Sequence, residues 1–224
     1  MIYKNYSELE GKHSFFSPSQ STWLNWFLDY KDGKMTKKDL YDMVRESYAS
    51  KVAKDNGTKI HEIACKWIKL GRHLPKSRIA LRTLLWDEIG KDSDFVDDLV
   101  LQTLYMYVND SIDEGMTPEL GIKMSDDAFG TSDSIVLKKG THRDVLKIHD
   151  LKTGKTPAKM RQLFIYAAYF CYDYDIDPRS IDIECKIYQL GEVKVDSPDP
   201  EFIQFIIDSV KFGSDIVSKM KGVK

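Results

Sequence analysis

Cysteine is scarce in this chain and badly spaced for chemistry: Cys65, Cys171 and Cys185 are the only three. No CxxC pair occurs, which argues against a zinc knuckle, and a four-cysteine iron–sulfur cluster cannot be built from this chain alone. An odd count without a framework suggests reduced thiols in a cytoplasm-like compartment. Long apolar runs are missing too. Nothing approaches the roughly 18 residues at which a membrane span becomes plausible. The start, MIYKNYSELEGKHSFF, lacks the basic and apolar regions of a secretory signal. The expectation is a soluble protein without a membrane partner. Charge of one sign is absent as well, since 33 Lys and Arg face 35 Asp and Glu. A whole-molecule field therefore announces no nucleic-acid partner, and any such partner has to be held by a local basic face. Internal repeats and low-complexity segments are not seen.

What is present suffices for a sizeable core: 224 residues, 42% of them hydrophobic, fit one generous domain. Its expected parts are an N-terminal helical segment (1–56), a helical stretch with an insertion (57–115), a sheet with a helix (116–192) and a closing helix (193–224). Ser17-Pro18-Ser19 reads as a helix start, with serine as cap and proline in the first turn. The run after it places Trp23, Leu24, Trp26, Phe27 and Tyr30 on one side and stops at Gly33. "NGTKIHEIACKWIKLG" opens with a turn and a threonine cap, then shows Ile60, Ile63, Ala64, Trp67 and Ile68 as a helical stripe. Residues 74–115 are mostly helical. From Glu119 the pattern changes to short segments, ELGIKMS, AFGTSDSIVLKKG and RDVLKIHDLKTG, separated by turn formers as in adjacent antiparallel strands. A buried helix opening with proline (PAKMRQLFIYAAYFCYDYDID), a strand (SIDIECKIYQLG) and an amphipathic helix (PEFIQFIIDSVKFGSDIVSKM) follow. The order predicts an α/β protein with a mixed central sheet flanked by helices, not a doubly wound parallel sheet.

The stretch IHDLKTGKTP, residues 148–157, supports two incompatible chemistries. A phosphate-cradling loop needs GxxxxGK[ST], because the first glycine lets backbone N–H groups wrap the phosphates. That position is His149, and Pro157 falls where the following helix would still be donating N–H groups. The phosphate-loop reading fails. Metal-assisted phosphodiester cleavage instead needs hard oxygen ligands and a nearby cation. In a strand, Asp150 and Lys152 share a face about 7 Å apart, one to bind metal and the other to position or deprotonate water. Leu151 faces away to the core and can lend its backbone carbonyl. A second carboxylate comes from Asp133, in an otherwise small and apolar strand one turn earlier. Two facing carboxylates are destabilising unless a cation lies between them.

Taken together, Gly130-Thr131-Ser132-Asp133, then Ile148-His149-Asp150-Leu151-Lys152-Thr153-Gly154, then Gln162 through Tyr166, resemble the RecB-type branch of the PD-(D/E)xK nuclease superfamily. Gly57-Thr58-Lys59-Ile60-His61 matches the branch's upstream histidine motif, and SPSQSTWLNW is similar to the Ser-x-Ser start of such domains. The similarity spans roughly residues 15–190. It implies a restriction-endonuclease-like core with N-terminal and inserted helical segments. His61, Asp133, Asp150 and the Leu151 carbonyl would hold Mg²⁺ or Mn²⁺. Lys152 would stabilise the nucleophile or the charge developing on phosphate. Gln162 and Tyr166, one helical turn apart, would orient Lys152 and touch DNA. Glu119 is a candidate extra ligand. The four cysteines of cluster-bearing relatives are absent, so no iron–sulfur cluster is expected, and Asp150 replaces the commoner glutamate.

Other candidates receive plainer readings. His13, His73, His142 and His149 are taken as non-functional, Asp126-Asp127 as a turn, and Asp173, Asp175 and Asp177 as a solvated helix end. The last group lacks the glycine and the glutamate of a calcium loop. Lys155, Lys159 and Arg161 flank the proposed site, with Lys138, Lys139 and Arg143 on the turn assigned next to it. All six are expected to bind a DNA backbone. Lys69, Arg72, Lys76, Arg78 and Arg82 follow the His61 helix. The resulting expectation is a Mg²⁺- or Mn²⁺-dependent DNA exonuclease of a phage or mobile element, acting in recombination, repair or genome processing. It would work in the cytoplasm of a bacterium or phage-infected host. A DNA endonuclease, or a catalytically silent nuclease-fold protein that binds nucleic acid, is the alternative.

Overall fold

A computed structural model describes residues 4–6, 9, 14–49, 59–90, 96–154 and 157–221. Alternation in the sequence becomes a five-stranded sheet, in the order β1 (Thr117–Ser125), β2 (Ala128–Lys138), β3 (Asp144–Lys152), β4 (Ile181–Gln189) and β5 (Glu192–Asp196). The pairs β1–β2, β2–β3 and β4–β5 are antiparallel, whereas β3 and β4 run parallel. Parallel neighbours require a crossover. Here it is α6 (Arg161–Asp173), whose buried run from Ile165 to Cys171 lies between the sheet and the long closing helix α7 (Pro200–Lys221).

Helices cover both faces of the sheet. Ile135, Leu146, Ile148, Ile183, Cys185 and Ile187 pack toward α6, α7, α1 (Trp23–Lys31) and α2 (Lys37–Ala49). On the other face Leu151 and Tyr188 join the layer of α3 (Lys59–Lys69), α4 (Arg78–Ile89) and α5 (Asp98–Asp113). Small side chains let α5 approach closely, with Ser111 and Ser134 hydroxyls 3.1 Å apart. The sheet is therefore mixed and flanked by helices, and among the described residues no helix is long and apolar enough to cross a membrane.

Several local expectations change. Ser17 does not cap a helix; its hydroxyl lies 2.8 Å from that of Ser19, and Pro18–Gln20 forms a short 3₁₀ turn before α1. Of the proposed α1 stripe, Trp23, Leu24 and Phe27 are buried, but Tyr30 is exposed. Pro157 does not open α6, which starts at Arg161. The strand β5 escaped notice because it is five residues long and mostly exposed on the sheet edge. Its turn at Leu190-Gly191 has positive φ at both residues (53° and 75°), the geometry of a tight hairpin. Asp173 is not solvated: it accepts hydrogen bonds from Lys4 Nζ, the Tyr6 hydroxyl and Lys123 N. The threonine cap at Thr58, and His13, lie outside the described residues.

Candidate active site

The sheet forks at the carboxylates. The β2–β3 ladder ends at the pair Ser134–His149. One step further Asp133 stands level with Asp150, but from there β2 stays with β1 as far as Ala128, while β3 stays with β4 as far as Gln189. A fork leaves backbone groups without a partner strand, and a side chain fills the gap. Leu151 N donates to Asp133 Oδ2 at 2.9 Å. The other side of that carboxylate level is occupied by β1. Pairs Pro118–Ser134 and Leu120–Ser132 bracket Glu119, which faces Asp133 in register, is itself skipped, and has φ 54°. That left-handed conformation is uncommon outside glycine and asparagine.

Alternation along β3 puts Asp150 and Lys152 on the α6 face and His149 and Leu151 on the α5 face. Lys152 Nζ donates to Asp150 Oδ1 at 3.0 Å and to Gln162 Oε1, from the first turn of α6, at 3.2 Å. Tyr166, one turn on, donates its hydroxyl to the Thr131 carbonyl. His61 reaches in from α3, its Nδ1 3.5 Å from Asp133 Oδ2. The cluster is graded in depth: the Asp150 side chain is 3% exposed, Asp133 18%, His61 24% and Lys152 29%. The sequence-derived set of His61, Asp133, Asp150, Lys152, Gln162 and Tyr166 thus meets in one place.

Gly130 ties the opening segment to this cluster. A Cβ there would lie 2.8 Å from Pro18 Cδ and 3.2 Å from Tyr166 Cε1. The Ser-Pro turn therefore sits on the glycine of the Gly-x-x-Asp motif, and Tyr169 anchors it by donating to the Phe16 carbonyl.

Electrostatics follow from burial. Asp150 is pushed up to about 7, by burial first and then by Asp133, against the pull of Lys152. Burial opposes the Asp133 carboxylate too, but His61, Lys152 and the Leu151 N–H outweigh it and hold its pKa down. Lys152 and His61 are both desolvated, yet the two aspartates raise them. One oxygen has no counterpart: Asp150 Oδ2 is buried without a hydrogen-bond partner. Behind it, His149 is fully buried and held neutral, near 3, chiefly by burial. Its Nδ1 is 3.3 Å from the Tyr188 hydroxyl, which donates to Asp110 Oδ2 at 2.7 Å.

A hard divalent cation fits this donor set. Two carboxylates face one another, and the unpartnered Asp150 oxygen has a desolvation cost that a cation between them would relieve. Among the described residues no three His, Cys, Asp or Glu side chains gather as a ready cage. That composition suits Mg²⁺, which is usually bound by one or two carboxylates with waters and substrate phosphate.

The basic residues divide. Lys159 is exposed, and Arg161 donates to Asn25 Oδ1 from the start of α6, both at the Gln162 end. Lys138, Lys139 and Arg143 are not next to the site. The hairpin they occupy joins the opposite ends of β2 and β3, about 20 Å away at 3.3 Å per residue. There Lys138 pairs with Glu114, Lys139 with Asp144, and Arg143 donates to the Ile181 carbonyl. Lys155 lies outside the described residues. Sequence reasoning missed Gln189, level with Lys152, whose amide accepts from Ala158 N at 2.9 Å and donates to the Gly154 carbonyl at 2.7 Å. No family model matches the chain, and no curated protein or solved structure is similar to it at a significant level.

Proposed function

We propose that the protein is a metal-dependent deoxyribonuclease with a restriction-endonuclease-like core, of the RecB-like branch, acting on DNA ends. The observation that carries the reading is the fork itself: a buried carboxylate with an unpartnered oxygen, a second carboxylate level with it, and an ammonium group 3.0 Å from the first. Folding alone gives no reason to bury such a pair. Asp133 and Asp150 would hold Mg²⁺ or Mn²⁺, with the Leu151 carbonyl, His61 and Glu119 as candidate further donors. The ion would supply Lewis acidity toward a phosphoryl oxygen and acidify a water.

The remaining work falls to the chain. Lys152, kept cationic by Asp150 and Asp133, offers positive charge and hydrogen-bond donors where negative charge grows on phosphate. Gln162 accepts from the lysine's amine and fixes its position. Lys159 and Arg161 supply cations to the incoming backbone. His61 steadies Asp133. A phage or mobile-element role in recombination, repair or genome processing belongs to the same proposal.

End-labelled single- and double-stranded DNA, linear and covalently closed, incubated with Mg²⁺, Mn²⁺ or chelator, tests this directly. Metal-dependent product from linear substrate is expected. Asp150→Ala and Lys152→Ala should each lose on the order of 10²-fold or more in rate, with unchanged circular dichroism. Undiminished cleavage by both variants rules the site out, and cutting of closed circles makes the enzyme an endonuclease.

A further inference from the structure

The helical stretch beside the site carries an excess of positive charge. Residues 59–90 contain seven Lys and Arg against three Asp and Glu, in a protein whose formal net charge is −2. Within that stretch, α4 is apolar on both sides. Its inner face buries Leu81 and Leu85, while its outer face leaves Ile79 82% and Trp86 45% exposed. Thr83 lies between them, at helical spacings of four and three residues, so the three share one stripe. The other tryptophans are buried or half-buried.

Two hollows flank the first turns of α4 and share Arg78. One, of about 570 Å³, is formed by Arg78, Ile79, Arg82, Thr83, Trp86 and Asp98. The other, of about 250 Å³, sets Lys76 and Arg78 beside Leu81, Leu101, Tyr105 and Met106. Arg78 and Arg82 both lean on the single carboxylate of Asp98, at 3.2 and 3.1 Å. Two guanidinium groups on one acid leave positive charge beside the tryptophan. Of the acids around it, Glu88 pairs with Lys66 at 2.6 Å, and Asp97 caps α5 through Val100 N.

We propose that α4 is a platform for single-stranded nucleic acid, with unpaired bases stacking on Trp86 and Ile79 and phosphates on Lys76, Arg78 and Arg82. A duplex keeps its base faces inside its own stack and offers only phosphates. Aromatic and apolar surface set between cations therefore selects the unpaired strand. The inference rests on the nuclease reading, because it names the substrate class of that site. Its placement fits: Lys66–Glu88 ties α4 to the His61 helix. Helix α5 is bonded through Gln102 and Thr103 to Gly191, just past the end of β4, whose Gln189 is level with Lys152 of β3.

Titrating the full chain in chelator with a thymidine oligonucleotide and with a blunt hairpin duplex, while following tryptophan fluorescence, tests the platform without any cleavage. The oligonucleotide should quench fluorescence and bind more tightly than the duplex. Trp86→Ala should remove most of the quench and weaken binding roughly ten-fold or more. Ile79→Glu, at a position exposed enough to leave folding untouched, should weaken it as well. Equal affinity for both substrates, or wild-type binding by both variants, overturns the proposal. So does protein-concentration-dependent burial of Trp86 without DNA, which would make the stripe a contact between copies. The two readings fail separately. Trp86-dependent binding without metal-dependent cleavage sinks the nuclease alone; cleavage with a dispensable Trp86 sinks the platform alone.

Discussion

Asp150 is held in the fold against its own chemistry. The folded chain keeps its proton up to about pH 7, whereas the ordinary value is 3.8. Between those values the folded state binds more protons than the unfolded one, so stability falls as pH rises through that window and levels off above it. A rise of that size would correspond to about 4 kcal/mol. Asp133, lowered, and Lys152, raised, shift in the stabilising sense at neutral pH and offset part of it. His61 has a raised value, so it too loses stability as pH climbs past its folded pKa. A variant is needed to isolate the aspartate. Thermal melts of metal-free protein should drop between pH 5 and pH 8, and Asp150→Asn should flatten the drop. At pH 8 that variant should melt several degrees higher, at about 2–4 °C per kcal/mol for a chain of this size. Mg²⁺ or Mn²⁺ should raise the wild-type midpoint at pH 8 and leave the asparagine variant nearly unmoved. A metal-free midpoint that rises from pH 5 to 8 contradicts this account of the site.

Elements are legible where periodicity is long and illegible where it is short or where distant residues decide. The segments β1, β2 and β3 show themselves by alternation between turn formers, and α7 by its amphipathic repeat. For β5 the sequence offers only Val193 and Val195 in alternation with charged residues, and its position on the sheet edge leaves Val195 exposed. The start of α6 is misplaced by sequence because proline is favoured in a first turn, yet here the segment from Pro157 to Met160 remains part of the loop. What closes that loop is Gln189, 31 residues away from Ala158, a pairing that the sequence gives no means of seeing. One buried amide clamps both arms of the connection between the Asp-x-Lys strand and the Gln162 helix. Gln189→Ala should cost about 1–3 kcal/mol by orphaning those groups and accelerate hydrogen exchange at the Ala158 amide. Gln189→Glu keeps the acceptor for Ala158 and should leave that amide more protected than alanine does. Indistinguishable exchange in wild type and both variants would show that the clamp is not what holds the loop.

At the scale of the whole molecule, the direction of the strands decides which cations can serve the fork. In sequence Lys138, Lys139 and Arg143 lie between the two aspartates, and linear proximity makes them look like neighbours of the site. An antiparallel hairpin places its turn at one end and its free strand ends at the other, so residues five to seven positions from the carboxylates are far from them in space. The motif residues escape this error because strand alternation and the helical turn constrain them directly, whereas a surface lysine obeys no periodicity. The basic hairpin is committed to its own partners instead: Lys139 to Asp144, Arg143 to the Ile181 carbonyl, and Lys138 to Glu114, whose carboxyl Lys138 and Lys147 hold down to about 2. Removing charge at the two ends should therefore have different consequences. Lys159→Ala with Arg161→Ala should weaken binding of a single-stranded oligonucleotide and flatten its dependence on log salt by about 0.7 for each phosphate no longer neutralised. Lys139→Ala with Arg143→Ala should leave both the affinity and the slope as they are. Fluorescence anisotropy across a salt series separates the cases. Weakening confined to the hairpin variant would place the nucleic-acid path at the opposite end of the sheet, away from Asp150.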